Sequence, residues 1–161
     1  MRRPVDYIMF AVEQACDAEK FGFKRNQCCR NLKLAIEHYW RKVHLGLRRK
    51  EGMPRSIAAR AKDLRDCDIE HAVPLMVLVN KLMEKKPLTK QYILDTLTKY
   101  YMVAVISKDE HRLLNSKGLT SKMPDKWDFN DLWARYTAVG IKPPKISRSP
   151  SSESLARRLF R

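Results

Sequence analysis

The chain has 161 residues, 44% of them hydrophobic and 32% charged, which suffices for one sizeable core and excludes both a disordered chain and a miniature domain held by disulfides or metal. Lys and Arg number 33 against 18 Asp and Glu, a formal net charge of +15. Self-repulsion of that size opposes compaction and favours capture of polyanions, so an anionic partner is expected, nucleic acid first.

Four cysteines, Cys16, Cys28, Cys29 and Cys67, lack the CxxC spacing of zinc ribbons and redox motifs. They are expected to be free thiols in a reducing, cytoplasmic setting. Basic residues open the chain, but Asp6 and Glu13 interrupt any signal-peptide core, and the longest apolar run, 73–79, is far shorter than the ~20 residues of a membrane span. Neither export nor a membrane partner is expected.

In chain order, Val5, Ile8, Met9, Val12, Ala15 and Cys16 recur at spacings of three and four and predict a helix over 5–20, closed by Gly22. Leu32, Ala35, Ile36, Tyr39, Trp40 and Val43 predict a longer helix over 25–47. A short helix is predicted over 54–64, opened by Pro54. Residues 66–71 read as extended, and 73–83 as a buried helix with Pro74 in its first turn. Thr89 is the expected N-cap of a helix running to about Tyr100, and 101–106 is the best strand candidate, rich in β-branched and aromatic residues. Ser107 and Glu110 form a capping box that should start a helix ending near Gly118. Trp127 and Phe129 belong to a loop, and Asn130 or Asp131 is expected to cap a last helix containing Leu132, Trp133 and Tyr136. These elements make a predominantly helical α+β domain over 1–141, with about six helices and a minimal short-stranded sheet. Residues 142–161, rich in Pro, Ser and Arg, read as a flexible basic tail.

The densest basic stretch, 41–65, supplies the expected phosphate contacts: Arg41, Lys42, Arg48, Arg49, Lys50, Arg55, Arg60 and Lys62. Trp127, among lysines in its loop, is the aromatic singled out for base stacking, with pinning of the loop as its other role.

One constellation bears on catalysis. Glu70 and His71 end a strand, a second strand follows, and a capped helix presents His111 and Asn115 one turn apart. This order resembles the His-Me finger, or HNH-type, nucleases. The resemblance implies His71 as general base and Glu70 with His111 or Asn115 as ligands of one divalent cation, Mg²⁺ or Mn²⁺. The sequence therefore points to a nucleic-acid-binding protein, DNA or RNA, with metal-dependent endonuclease activity as its sharper form. The alternative is a non-catalytic basic adaptor or inhibitor docking on an acidic protein.

Overall fold

A computed structural model describes residues 3–144. The tail expected over 142–161 thus lies, from residue 145 on, outside the described residues. Among the described residues are seven α-helices and one two-stranded sheet, a mostly helical α+β fold.

Helix α1 spans Pro4–Lys20; Pro4 sits in its first turn, where the missing N–H costs nothing, and Asp6 accepts from the Arg3 N–H at 2.9 Å. Its inner stripe is Val5, Ile8, Val12 and Ala15. Gly22 then turns the chain at φ +87°, a left-handed conformation that glycine adopts without steric cost. Helix α2, Arg25–Ala35, packs on α1 and buries Cys28, Cys29 and Leu32. The helix expected over 25–47 changes pitch midway: Ile36–His44 is a π-helix, whose wider turn buries Ile36, Trp40 and Arg41 together.

After a 3₁₀ turn at Lys50–Gly52 comes α3, only Ile57–Arg60, much shorter than the helix predicted over 54–64. The reason is tertiary. Pro54 and Ser56 are drawn to a strand, the Pro54 carbonyl accepting from Val105 N–H at 2.8 Å and Ser56 N–H donating to the Val105 carbonyl at 3.0 Å. Ser56 then caps α3, its Oγ accepting from Ala59 N–H at 3.1 Å.

A second 3₁₀ turn, Leu64–Asp66, leads into β1, Cys67–His71. Helices α4, Leu75–Glu84, and α5, Lys90–Tyr100, intervene before β2, Val103–Ser107. The strands pair antiparallel, with Cys67 opposite Ser107 and His71 opposite Val103. β2 starts two residues later than expected because Tyr101 N–H still bonds the Leu97 carbonyl and so closes α5. Thr89 caps α5 as predicted, accepting from Tyr92 N–H at 3.1 Å. The capping box also forms: Glu110 N–H donates to Ser107 Oγ at 3.2 Å and Ser107 N–H to Glu110 Oε2 at 2.8 Å, opening α6 at Lys108–Ser116. The last helix, α7, is one turn, Ala134–Thr137. Asp131 accepts from Trp133 N–H at 2.8 Å, so it holds the approach to α7 from outside the helix.

The main core gathers α1, α2, the π-helix, α4 and α5 around residues such as Leu32, Trp40, Leu82 and Leu97, all essentially buried. Ile106, Leu114, Leu119, Tyr136 and Ile141 form a smaller core behind β2. Truncating a fully buried leucine such as Leu32 to alanine should cost about 2–5 kcal/mol.

Candidate functional site

The strand–strand–helix unit made by β1, β2 and α6 is where the sequence placed its chemistry. Side chains alternate along a strand, so Asp68 and Glu70 share one face of β1 and His71 belongs to the other.

On the first face, α6 lies against both strands and brings His111 to the carboxylates. His111 Nδ1–H donates to Asp68 Oδ2 at 2.9 Å, and its Nε2 stands 3.6 Å from Glu70 Oε2. The other Glu70 oxygen, Oε1, accepts from His71 N–H at 3.0 Å and pairs with Arg135 of α7. Arg135 is fully buried. It also donates to the carbonyls of Ala72 (3.0 Å), Leu119 (2.7 Å), Thr120 (3.2 Å) and His71. Its guanidinium thereby ties β1, the segment after α6 and α7 together, a use of the planar fork that lysine would not reproduce.

On the second face, His71 Nε2–H donates to Glu37 Oε1 at 2.8 Å, and Tyr101 O–H donates to the same oxygen at 2.6 Å. Arg41 Nε reaches Glu37 Oε2 at 2.5 Å. Burial pushes the Glu37 carboxyl up, but the hydrogen bonds from His71 and Tyr101 and the charges of His71 and Arg41 outweigh it and hold the group at about 2. Tyr101 moves the opposite way, well above an ordinary phenol, through burial and the adjacent Glu37 charge. An ionised carboxylate only accepts, so the Glu37 contact requires a proton on His71 Nε2.

The four residues joined by the resemblance are therefore divided. Glu70 and His111 meet, His71 faces Glu37 across the strand, and Asn115, exposed one turn further along α6, accepts from Thr120 Oγ1 at 2.5 Å. A divalent cation needs several free oxygen or nitrogen lone pairs converging on one point. Here Glu70 Oε1 is occupied by a guanidinium and His111 Nδ1 by Asp68. Among the described residues no group of three or more His, Cys, Asp and Glu is disposed to hold an ion. Glu70 Oε2 and His111 Nε2, 3.6 Å apart, are the two donor atoms left facing one another.

The cations expected at phosphates also divide. Arg41 is buried against Glu37, and Lys50 Nζ donates to the carbonyls of Leu64, at 3.1 Å, and Cys67. Arg55 donates to the carbonyls of Ala59 and Lys62, the latter at 2.7 Å, and Lys62 Nζ pairs with Asp109 at 2.7 Å. These four are used by the fold. Lys42, Arg48, Arg49 and Arg60 are exposed; among the described residues Arg48 makes only a long 3.4 Å bond to the Lys42 carbonyl, and the other three side chains form no ion pair. Trp127 pins its loop, donating from Nε1 to the Asp131 carbonyl at 2.8 Å and packing edge-on to Tyr100. Phe129 beside it, left-handed at φ +65°, carries Lys81 Nζ 4.5 Å from its ring centre.

Sequence reasoning missed Glu37, Asp68, Tyr101 and Arg135. Asp68 had a signal, since it lies two residues before Glu70 and so on the same strand face. Nothing local marks Glu37 or Arg135, which reach β1 from 34 and 65 residues away.

Compared with family models, curated proteins and solved structures, the chain matches none. Among the described residues no helix is long and apolar enough to cross a membrane.

Proposed function

We propose that this protein binds nucleic acid through exposed cations that its own carboxylates leave uncompensated. The observation that carries the reading is how the acids are spent. Asp6, Asp17, Glu19, Asp63 and Asp109 pair with Lys90, Lys20, Arg25, Arg65 and Lys62. Glu37, Asp68, Glu70 and Glu110 are absorbed by the networks inside the fold. The described residues hold 27 Lys and Arg against 17 Asp and Glu, +10 of the chain's +15, and Lys42, Arg49 and Arg60 are among the exposed cations. Flexible, hydrated cations of this kind contact phosphates without reading bases, which supports sequence-tolerant binding.

A second reading, metal-dependent phosphodiester cleavage, draws support from one observation: an acid–His pair ends β1, β2 follows, and α6 brings His111 against β1. The division of His71 from Glu70 favours binding over cleavage.

Labelled DNA and RNA titrated with the protein, with Mg²⁺, Mn²⁺ or chelator and beside His71→Ala, separate these readings. Retention that weakens steeply with salt, without strand scission, is the expected result. Metal-dependent scission lost in His71→Ala would move the conclusion to the enzyme. Indifference to both polymers would overturn nucleic-acid binding and leave an acidic protein as the partner.

A further inference from the structure

Rings and lysines interleave along α4, α5 and the loop that joins α6 to α7. Among the described residues, every lysine set over a ring lies on α4 or α5. Lys81 Nζ is 4.5 Å from the Phe129 ring centre and 5.5 Å from that of Tyr100, Lys99 is 5.0 Å from Tyr100, and Lys85 is 5.1 Å from Tyr92. The described lysines that pair with carboxylates are Lys20, Lys62, Lys90 and Lys108, so these three keep their full charge. The two acids within 81–100 are engaged elsewhere, Glu84 with Arg25 and Asp95 with Gln91.

The loop adds an exposed ring. Lys126 at φ +62° and Phe129 at φ +65° are the non-glycine residues in the left-handed region among the described residues, a conformation that strains a bulky side chain. Here the strain does not bury the ring: Phe129 stays 39% exposed. Trp127 and Tyr100 brace it, with ring centres 4.4 Å and 6.0 Å away. The loop's carboxylates, Asp125, Asp128 and Asp131, line a cavity against Ala134 and Thr137 of α7, which Lys126 and Trp127 also wall. Asp128 accepts from Asn130 N–H at 3.0 Å and Asp131 from Trp133 N–H at 2.8 Å, so both are tied into the loop backbone.

From this arrangement we infer that Phe129 is a stacking platform for an unpaired base, with Lys81, Lys85 and Lys99 on the adjoining phosphates, so that the polymer bound is single-stranded. The inference rests on the nucleic-acid reading and names its substrate class. Two complementarities select the ligand. The lysines supply uncompensated cations for a phosphate backbone, and the braced ring supplies an aromatic face for a base. Lys81 covers that face in the free protein, and its flexible stem lets the ammonium move onto a phosphate and leave the ring to the base. A duplex stacks its base faces on one another and would gain the phosphate contacts alone. Every base has a π-face and stacking ignores the sugar, so single-stranded DNA and RNA share the required chemistry.

Fluorescence anisotropy of the full chain against labelled oligothymidylate, oligouridylate and a DNA duplex, each of about 16 nucleotides per strand, tests this. At about 0.15 M salt the single strands should bind at least about 5-fold more tightly than the duplex, the tighter of the two identifying the preferred sugar. Phe129→Gly removes the ring at a φ that glycine adopts freely, so the fold persists, checked by circular dichroism. It should weaken single-strand binding at least about 5-fold while leaving the salt slope and duplex affinity unchanged. Phe129→Leu, which keeps apolar bulk without a π-face, should lose as much, and Phe129→Trp should retain the affinity. Lys81→Ala should instead shallow the log–log salt slope by about 0.7. Equal affinity for the duplex, or single-strand binding unmoved in Phe129→Gly and Phe129→Leu, would overturn the stacking site and leave the nucleic-acid reading standing. Indifference to all three polymers would overturn both.

Discussion

Glu70 and His71 are consecutive in the chain and face opposite sides of β1: Glu70 meets His111 and Arg135, whereas His71 donates to Glu37 at 2.8 Å. Their side chains enter separate polar networks, joined through the His71 backbone, whose N–H donates to Glu70 and whose carbonyl accepts from Arg135.

For the Glu37 network the consequence is acid sensitivity. Its carboxyl titrates near 4.5 when unfolded and about 2 when folded, so the stabilisation is complete above about pH 4.5 and is lost as pH falls toward 2. The contribution is about 2–3 kcal/mol. Glu37→Gln should flatten the stability profile between those limits, measured by urea unfolding across the acid range.

For the Glu70 network the sensitive position is Arg135. Removing a buried cation leaves the Glu70 carboxylate uncompensated and strips donors from four carbonyls, so Arg135→Ala should lose about 3–5 kcal/mol. Chemical denaturation should show the loss as a lower midpoint with an unchanged slope.

Basic residues assigned to the fold and to the surface should separate in one titration series. Alanine at Arg49 or Arg60 should shallow the salt dependence of oligonucleotide affinity by about one unit of log–log slope while leaving the melting temperature alone. Alanine at Lys50 or Arg55 should lower the melting temperature instead, because carbonyls lose their donors. Fluorescence anisotropy and thermal melts give the two readouts.

Ser56 joins α3 to α6. Its hydroxyl donates to Glu110 Oε2 at 2.7 Å while its oxygen caps Ala59 N–H, so Ser56→Ala removes a cap and a buried bond to a charge. A loss of about 2–3 kcal/mol is expected, against about 1 kcal/mol for removing an exposed cap such as Thr89. Urea titrations of the two alanine variants test the difference.

Local chemistry made much of the fold legible. Thr89 and the Ser107–Glu110 pair announce helix starts through hydrogen bonds three residues long, and α1 declares its inner face by spacing alone. The short α3 was not legible because Pro54 and Ser56 bond to Val105, a contact that helix propensity cannot anticipate. Nor was the pitch change at Ile36, where burial of Trp40 and Arg41 accompanies the wider turn. At the site, strand alternation was available from the sequence and already divides Glu70 from His71. The partners that complete each network arrive from distant segments and leave no local trace.

Both flanks of the two-stranded sheet are partly occupied. Along β2, the Pro54–Ser56 segment takes up both polar groups of Val105 and runs beside it as a parallel bridge at Arg55. On β1, the carbonyls of Cys67 and His71 accept from Lys50 and Arg135. A row of free backbone groups on a sheet flank is a template for runaway pairing between molecules, and charged side chains planted there suppress it. Lys50 and Arg135 thus occupy two carbonyls that a further strand laid on β1 would need.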